Sequence, residues 1–344
     1  MTPVILLTGF LGSGKTTLLQ RLLTDPAMAR AAVLINEFGE VGLDHHLLDR
    51  IDDNVMLMKS GCICCTVRGE VADALQNLNS LRSRGEIAFD RVVIETTGLA
   101  DPYPVLQTLR AHPVLRSHFD SGGVLTTVDA VNAVQQLEHR AEAVRQIAAA
   151  DRIVLTKTDL TTPEQIAPLR AALARVNPAA RVVTSAEGVE QIIGGLEDHA
   201  TLVPEETCGP DCDHEDHDHD HDHGQGHHHH HAHHHDETLG VVTFSLVIDR
   251  PVDWTDFGIW LTLLLHRYGD KIFRVKGILD IAGEDRPVAI HGVQHLVHAP
   301  VHMQHWPAGP RQSRLVFILE GLDPALIRRS FHAFMRLPAA ERAA

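Results

Sequence analysis

Nine residues near the amino terminus, GFLGSGKTT (9–17), follow the spacing G-x-x-x-x-G-K-[ST] between an apolar run and a helical pattern. That context makes the pattern a phosphate cradle. Gly9, Gly12 and Gly14 let the backbone curl so that its N–H groups, with Ser13 and Thr17 in the same loop, face phosphate oxygens at a helix N-terminus. Lys15 would neutralise the β- and γ-phosphates, and the Thr16 hydroxyl would ligate Mg²⁺. Further on, GCICC (61–65) places three of the chain's five cysteines within four positions. Thiolate is a soft ligand suited to Zn²⁺, Cu⁺ or Co²⁺ rather than Mg²⁺ or Ca²⁺. A structural zinc site normally draws two ligand pairs from separated elements. The crowding of Cys62, Cys64 and Cys65 instead favours an open, exchangeable site completed from elsewhere, against the alternative of small buried hydrophobes at a strand end.

Three further stretches bear on a nucleotide. IVLTKTDL (153–160) ends a strand-like run in Thr156, Lys157 and Asp159. It is similar to the N-K-x-D guanine motif with Thr in place of Asn. Asp159 suits the N1–H and N2–H₂ donors of guanine, and Lys157 can lie along the base and touch the phosphate loop. Ser185 and Ala186 offer a backbone contact to the guanine oxygen, so GTP is the expected nucleotide. RVVIETTG (91–98) occupies the Walker B place: Glu95 would hold Mg²⁺ through water or orient the attacking water, and Gly98 could donate its N–H to the γ-phosphate. INEFGEVGLD (35–44) falls where a switch loop belongs and carries Glu37, Glu40 and Asp44, which a solvated acidic loop would also explain.

The elements that must position these residues are legible in the pattern. PVILLT, AAVLIN, VMLMK, RVVIE, GVLTTVD, RIVLT and RVVT are short, nearly continuous apolar runs separated by helical stretches. That alternation predicts a parallel sheet covered by helices on both faces. After residue 238, VVTFSLVID, KIFRVKGILDI, RPVAIHGVQHLV and SRLVFILEG read as strands of an antiparallel sheet, with helices at WTDFGIWLTLLLHRY and PALIRRSFHAFMRL. FRVKGIL puts Arg274 and Lys276 on one strand face. A docking surface for a metal-receiving protein falls to this unit only by elimination.

Between the two regions, residues 207–237 hold thirteen of the 26 histidines, interleaved with Asp, plus Cys208 and Cys212. Nothing aliphatic there exceeds alanine, so the segment cannot bury a core and is expected to be disordered without a ligand. It should bind several Zn²⁺, Ni²⁺ or Co²⁺ ions loosely and release them as the imidazoles protonate; a solvated spacer is the competing view. The net charge of −15 resides largely here, since residues 205–237 carry eleven acids and no Lys or Arg. The remaining −4 speaks against a nucleic-acid surface. No apolar run reaches membrane-spanning length, and the start MTPVILLTGF lacks a basic leader. With clustered, odd-numbered cysteines, the expected compartment is the reducing cytoplasm.

The set GFLGSGKTT, NEFGEVGLD, GCICC, ETTGLADP, LTKTDL and RVKG, in this order over nearly the whole chain, resembles the CobW-type, YjiA-like metallochaperone P-loop GTPases. The resemblance implies GTP-dependent delivery of a transition metal, zinc or cobalt most often, to a client protein. It further implies that Cys64 is the most dependable ligand, with Glu40 and His112 as partners. Taken alone, His112 is a solvated helix-end residue. The expected organisation is a P-loop GTPase domain at 1–200, a disordered metal-binding linker at 201–238 and a C-terminal α+β domain at 239–337, with a homodimer left open. The alternatives are a metal-storage protein with a vestigial nucleotide site, a nickel-insertion GTPase, and a small-molecule kinase, which would prefer ATP.

Overall fold

The computed structural model describes residues 1–35, 56–59, 67–196, 240–307 and 309–336. Seven strands of the described residues form a parallel sheet: β1 (Thr2–Gly9), β2 (Ala31–Ile35), β3 (Met56–Lys59), β4 (Arg91–Glu95), β5 (Phe119–Asp129), β6 (Arg152–Thr156) and β7 (Arg181–Thr184). Their order is β3-β2-β4-β1-β5-β6-β7. β1 is therefore central, and the chain steps to opposite sides of it before and after β4. That reversal opens a crevice at the carboxyl ends of the strands, where α/β sheets bind ligands.

The period of two along each strand feeds two cores. Val4, Leu6, Ala32, Leu34, Val92 and Ile94 face the helices Val67–Ser83 and Tyr103–Ala111. Ile5, Leu7, Val33 and Val93 face the helices Lys15–Leu23 and Val189–Ile193. Each fully buried aliphatic side chain contributes about 1.5–3 kcal/mol, so burial on both faces explains why these runs are apolar throughout.

The C-terminal unit is an antiparallel sheet of β8 (Val241–Ile248), β9 (Ile272–Leu279), β10 (Val288–Val293), β11 (Leu296–Val297), β12 (Val301–His302) and β13 (Ser313–Glu320). Its order is β11-β10-β9-β13-β8, with β12 also on β10. RPVAIHGVQHLV, expected as one strand, is instead two antiparallel strands folded at Gln294, whose φ is 51°. One face packs under the helices Trp254–Tyr268 and Pro324–Arg336, with Trp260, Phe317 and Phe331 at its centre. Asp253 starts the first of these helices by accepting the Thr255 and Asp256 N–H groups. The other face meets the parallel-sheet unit.

A register shift opposite Ile318–Leu319 leaves Phe273 of β9 without a partner on β13. A bulge of this kind re-aims side chains. Here Phe273 stacks on Tyr103 at 5.4 Å, and Arg274 also reaches the parallel-sheet unit. Among the described residues no helix is long and apolar enough to cross a membrane.

Candidate functional site

The loop after β1 is shaped by what a side chain at Gly9 would strike. A Cβ there would lie 2.3 Å from Thr127 Oγ1 and 2.5 Å from the Thr127 carbonyl, at a φ of +144°, so only glycine fits. The buried Ser13 hydroxyl meets Thr127 Oγ1 at 2.7 Å, pinning the loop to β5. Gly14, at φ +84°, opens the helix Lys15–Leu23.

Lys15 curls across this loop and donates to the carbonyls of Gly9 at 2.9 Å and Phe10 at 3.2 Å. Burial lowers its pKa, and the nearby Glu95 carboxylate partly restores it. The half-buried Thr16 donates its hydroxyl to Glu95 Oε1 at 2.7 Å. Glu95 is only 4% exposed, at the carboxyl end of β4 and in register with Leu7 and Ile35. Two hard oxygen donors side by side next to a phosphate loop fit Mg²⁺. Gly98 packs directly on the loop, since a Cβ on it would lie 2.7 Å from the Leu11 backbone. Gly12 and Thr17 are in the same loop and helix start, Gly12 at φ +70° and Thr17 exposed.

On the base side, the Thr156 hydroxyl donates to the Ser13 carbonyl at 2.8 Å, so the residue standing where the motif has Asn ties β6 to the phosphate loop. Lys157 is left-handed at φ 56°, uncommon outside glycine, and its Nζ pairs with Asp129 Oδ2 at 2.7 Å. Burial raises the Asp129 pKa, but Lys157, Asn132 and the Val131 N–H together hold it below its ordinary value. Asp159 is exposed in the turn Thr158–Leu160, and the Ser185 N–H is bonded to Leu155 at 2.8 Å.

The structure thus brings Gly9, Ser13, Lys15, Thr16, Glu95, Gly98 and Thr156 together. It does not bring His112 to them. β4 ends at the carboxyl edge of the sheet and β5 begins at the amino edge, so the intervening helix Tyr103–Ala111 runs away from the crevice. His112 caps its far end, about 13 Å along the axis from Tyr103. Among the described residues its buried Nδ1 has no hydrogen-bond partner. Glu37, Glu40, Asp44, Cys62, Cys64, Cys65, Cys208 and Cys212 lie outside the described residues. Among those described, no group of three His, Cys, Asp or Glu could hold a metal ion.

Sequence reasoning passed over Asp129, Thr127 and Gln146. An acid ending the GVLTTVD run was a usable signal for the first; the other two show only in three dimensions. Lys276, which sequence placed on the Arg274 face, is 3% exposed and lies 3.9 Å from Asp151.

This strand order with this phosphate loop is that of a P-loop GTPase fold carrying a separate antiparallel C-terminal domain. Residues 3–184 match the CobW/HypB/UreG nucleotide-binding domain, and residues 241–335 the cobalamin synthesis protein cobW C-terminal domain. The chain belongs to the CobW/HypB/UreG family. It is 36% identical to the zinc chaperone YjiA of Escherichia coli, over 95% of this chain and 97% of that protein. It is 35% identical to the zinc chaperone CobW of Pseudomonas aeruginosa, over 54% of this chain and 57% of that one. The crystal structure of Zn(II)-bound YjiA GTPase from E. coli aligns with a TM-score of 0.71 at 33% identity, covering 98% of this chain and 100% of that one.

Proposed function

We propose that this protein is a GTP-hydrolysing metallochaperone that binds zinc, with cobalt as the second candidate, and passes it to a client protein according to its nucleotide state. The Thr16–Glu95 pair carries the GTPase half: a hydroxyl and a carboxylate 2.7 Å apart, beside Lys15, at the crevice. Thr16 would hold Mg²⁺, with Glu95 beyond a water or directing the attacking one; bound there, the ion would neutralise phosphate charge. Gly9, Gly12, Ser13, Gly14, Lys15 and Thr17 would cradle the phosphates, Gly98 would donate to the γ-phosphate, and Thr156, Lys157 and Asp159 would border the guanine.

The sheet register supports the metal half. Lys59 pairs with Ile35, and Ile35 pairs with Glu95. Two strand spacings put Lys59 about 10 Å from Glu95. Cys62 follows three residues later in the sequence, and Cys64 and Cys65 after it. Together with Glu40 these are the proposed zinc ligands; His112, at the end of its helix remote from the crevice, is the weakest candidate. If one ion and one phosphate bias the same segment, each shifts the other's affinity by the same factor. The organisation that follows is a GTPase domain at 1–200, a metal-gathering linker at 201–238 and a C-terminal domain at 239–337. The clustered, odd-numbered cysteines support a reducing, cytoplasmic setting.

The test is zinc affinity measured with a non-hydrolysable GTP analogue and with GDP, alongside GTP turnover with Lys15→Ala as control. Nucleotide-dependent affinity and turnover above the control are expected. A single zinc affinity with turnover at the control level would leave a metal-storage protein, and tighter binding of ATP than of GTP would favour a kinase.

A further inference from the structure

The helix Ala141–Ala149 touches the phosphate-facing loop with one side chain and the C-terminal sheet with its neighbours. Gln146 is fully buried, and its Nε2 donates to the Gly98 carbonyl and to the Ala100 carbonyl, each at 3.1 Å. Both partners can only accept, so the amide nitrogen, not the amide oxygen, must face the loop. The Gln146 main-chain carbonyl accepts the Thr126 hydroxyl at 2.9 Å, registering the helix on β5 at the same residue.

The C-terminal unit holds this helix on both sides of Gln146. Arg145 donates to both oxygens of Glu320, at 3.2 and 3.1 Å. Arg274 donates to the Ala149 carbonyl at 2.6 Å and the Ala150 carbonyl at 2.8 Å. The loop that Gln146 clamps then runs on to Tyr103, whose ring lies against Phe273. The segment after Glu95 is therefore fastened to the C-terminal sheet twice, through Gln146 and through Tyr103. At its other end Gly98 rests on the phosphate loop at Leu11.

We propose that Gln146 is a positioning residue for GTP hydrolysis, and that through it the docked C-terminal sheet sets where Gly98 lies over the phosphate loop. The proposal rests on the GTPase reading above. One amide spanning two carbonyls couples loop to helix, because a small shift of either lengthens both bonds at once. Linkage runs both ways, so a nucleotide state that displaces Gly98 also weakens the docking of the C-terminal sheet.

The test uses the full chain, with kcat and KM for GTP and equilibrium binding of GDP. Gln146→Glu turns the donor towards the carbonyls into an acceptor. Gln146→Met keeps the length without a buried charge, which guards against misfolding. Both are expected to lower kcat roughly ten- to a hundredfold, the scale of a misplaced catalytic geometry, while GDP affinity is unchanged. Glu320→Gln should lower kcat by a smaller factor and add nothing in a Gln146→Met background, because both act through one helix. An unchanged kcat in Gln146→Met overturns the proposal. So does a parallel loss of kcat and GDP affinity, or a multiplicative double variant. Wild-type turnover no faster than Lys15→Ala overturns the GTPase reading, and this inference with it. An active wild type matched by Gln146→Met overturns this inference alone.

Discussion

Arg274 and Asp151 pair across the seam between the two sheets, with side chains 1% and 9% exposed. Arg274 also donates to the Ala149 and Ala150 carbonyls, and Lys276 lies 3.9 Å from the same carboxylate. Asp151 in addition accepts the Val124 N–H at 2.9 Å, so it answers two cations and one strand. Its removal takes the buried countercharge away from both cations. Asp151→Ala is expected to cost about 3–5 kcal/mol, the scale for breaking a buried pair from one side. Arg274→Met should cost less, because Lys276 still neutralises the carboxylate. Urea unfolding followed by tryptophan fluorescence reads the C-terminal unit directly, since Trp254, Trp260 and Trp306 all belong to it.

The same carboxylate makes the protein acid-sensitive. Burial pushes the Asp151 pKa up, but Arg274, Lys276 and the Val124 N–H outweigh it and hold the group at about 2. The unfolded chain takes up that proton near pH ~3.9, so between about pH 4 and pH 2 it binds more protons than the folded one. Stability therefore falls as the pH drops through that window, by about 2 kcal/mol from this group, and the full contribution is present above it. Denaturation curves at stepped pH should show this slope in the wild type and a shallower one in Asp151→Asn.

Gly98→Ala tests the contact between the loop after Glu95 and the phosphate loop. The added methyl would meet Leu11 N and Cα at 2.7 Å, backbone atoms that yield only if the phosphate loop itself moves. Overpacking of this kind typically costs about 1–3 kcal/mol. Charged to nucleotide binding, that is on the order of a tenfold loss or more, readable by equilibrium titration with a fluorescent GDP.

Thr16 and Glu95 separate positioning from charge. Thr16→Ala removes the oxygen proposed for Mg²⁺ and should lower GTP turnover by on the order of a hundredfold. Glu95→Gln keeps an acceptor for the Thr16 hydroxyl but removes the negative charge. Turnover should fall again, and the Mg²⁺ concentration for half-maximal rate should rise. A Mg²⁺ titration of steady-state rates checks both.

Zinc binding should divide into one tight site and a loose population. Cys64→Ala is expected to abolish the tight site, and deletion of residues 207–237 to lower stoichiometry while retaining it. His112→Ala should weaken tight binding less than Cys64→Ala, because His112 caps the end of its helix remote from the crevice. Competition with a chromophoric chelator, with GTP analogue and with GDP, distinguishes these outcomes.

The shape of the phosphate loop could be read in advance because it depends on contiguous residues. Gly9, Gly14, Lys15 and Thr16 follow one another along a single strand–loop–helix, and local backbone geometry puts them in place. The strands were equally legible, since burial on both faces forces unbroken apolar runs such as VILLT and RVVIE. The hairpin at Gln294 escaped notice because the residue there is not the glycine that a left-handed backbone usually signals. Arg274 looked like an ordinary charge on a strand face.

By itself, then, the amino-acid sequence determined the sheet, its phosphate loop and the family-specific order of motifs, all of them local patterns. Only the tertiary structure decided that Thr156 secures the phosphate loop, that Gln146 grips the Gly98 segment, and that a bulge turns both Phe273 and Arg274 onto the first domain. Those contacts join residues far apart in the chain, and their partners are fixed by how the sheets pack. No periodicity along the chain encodes that.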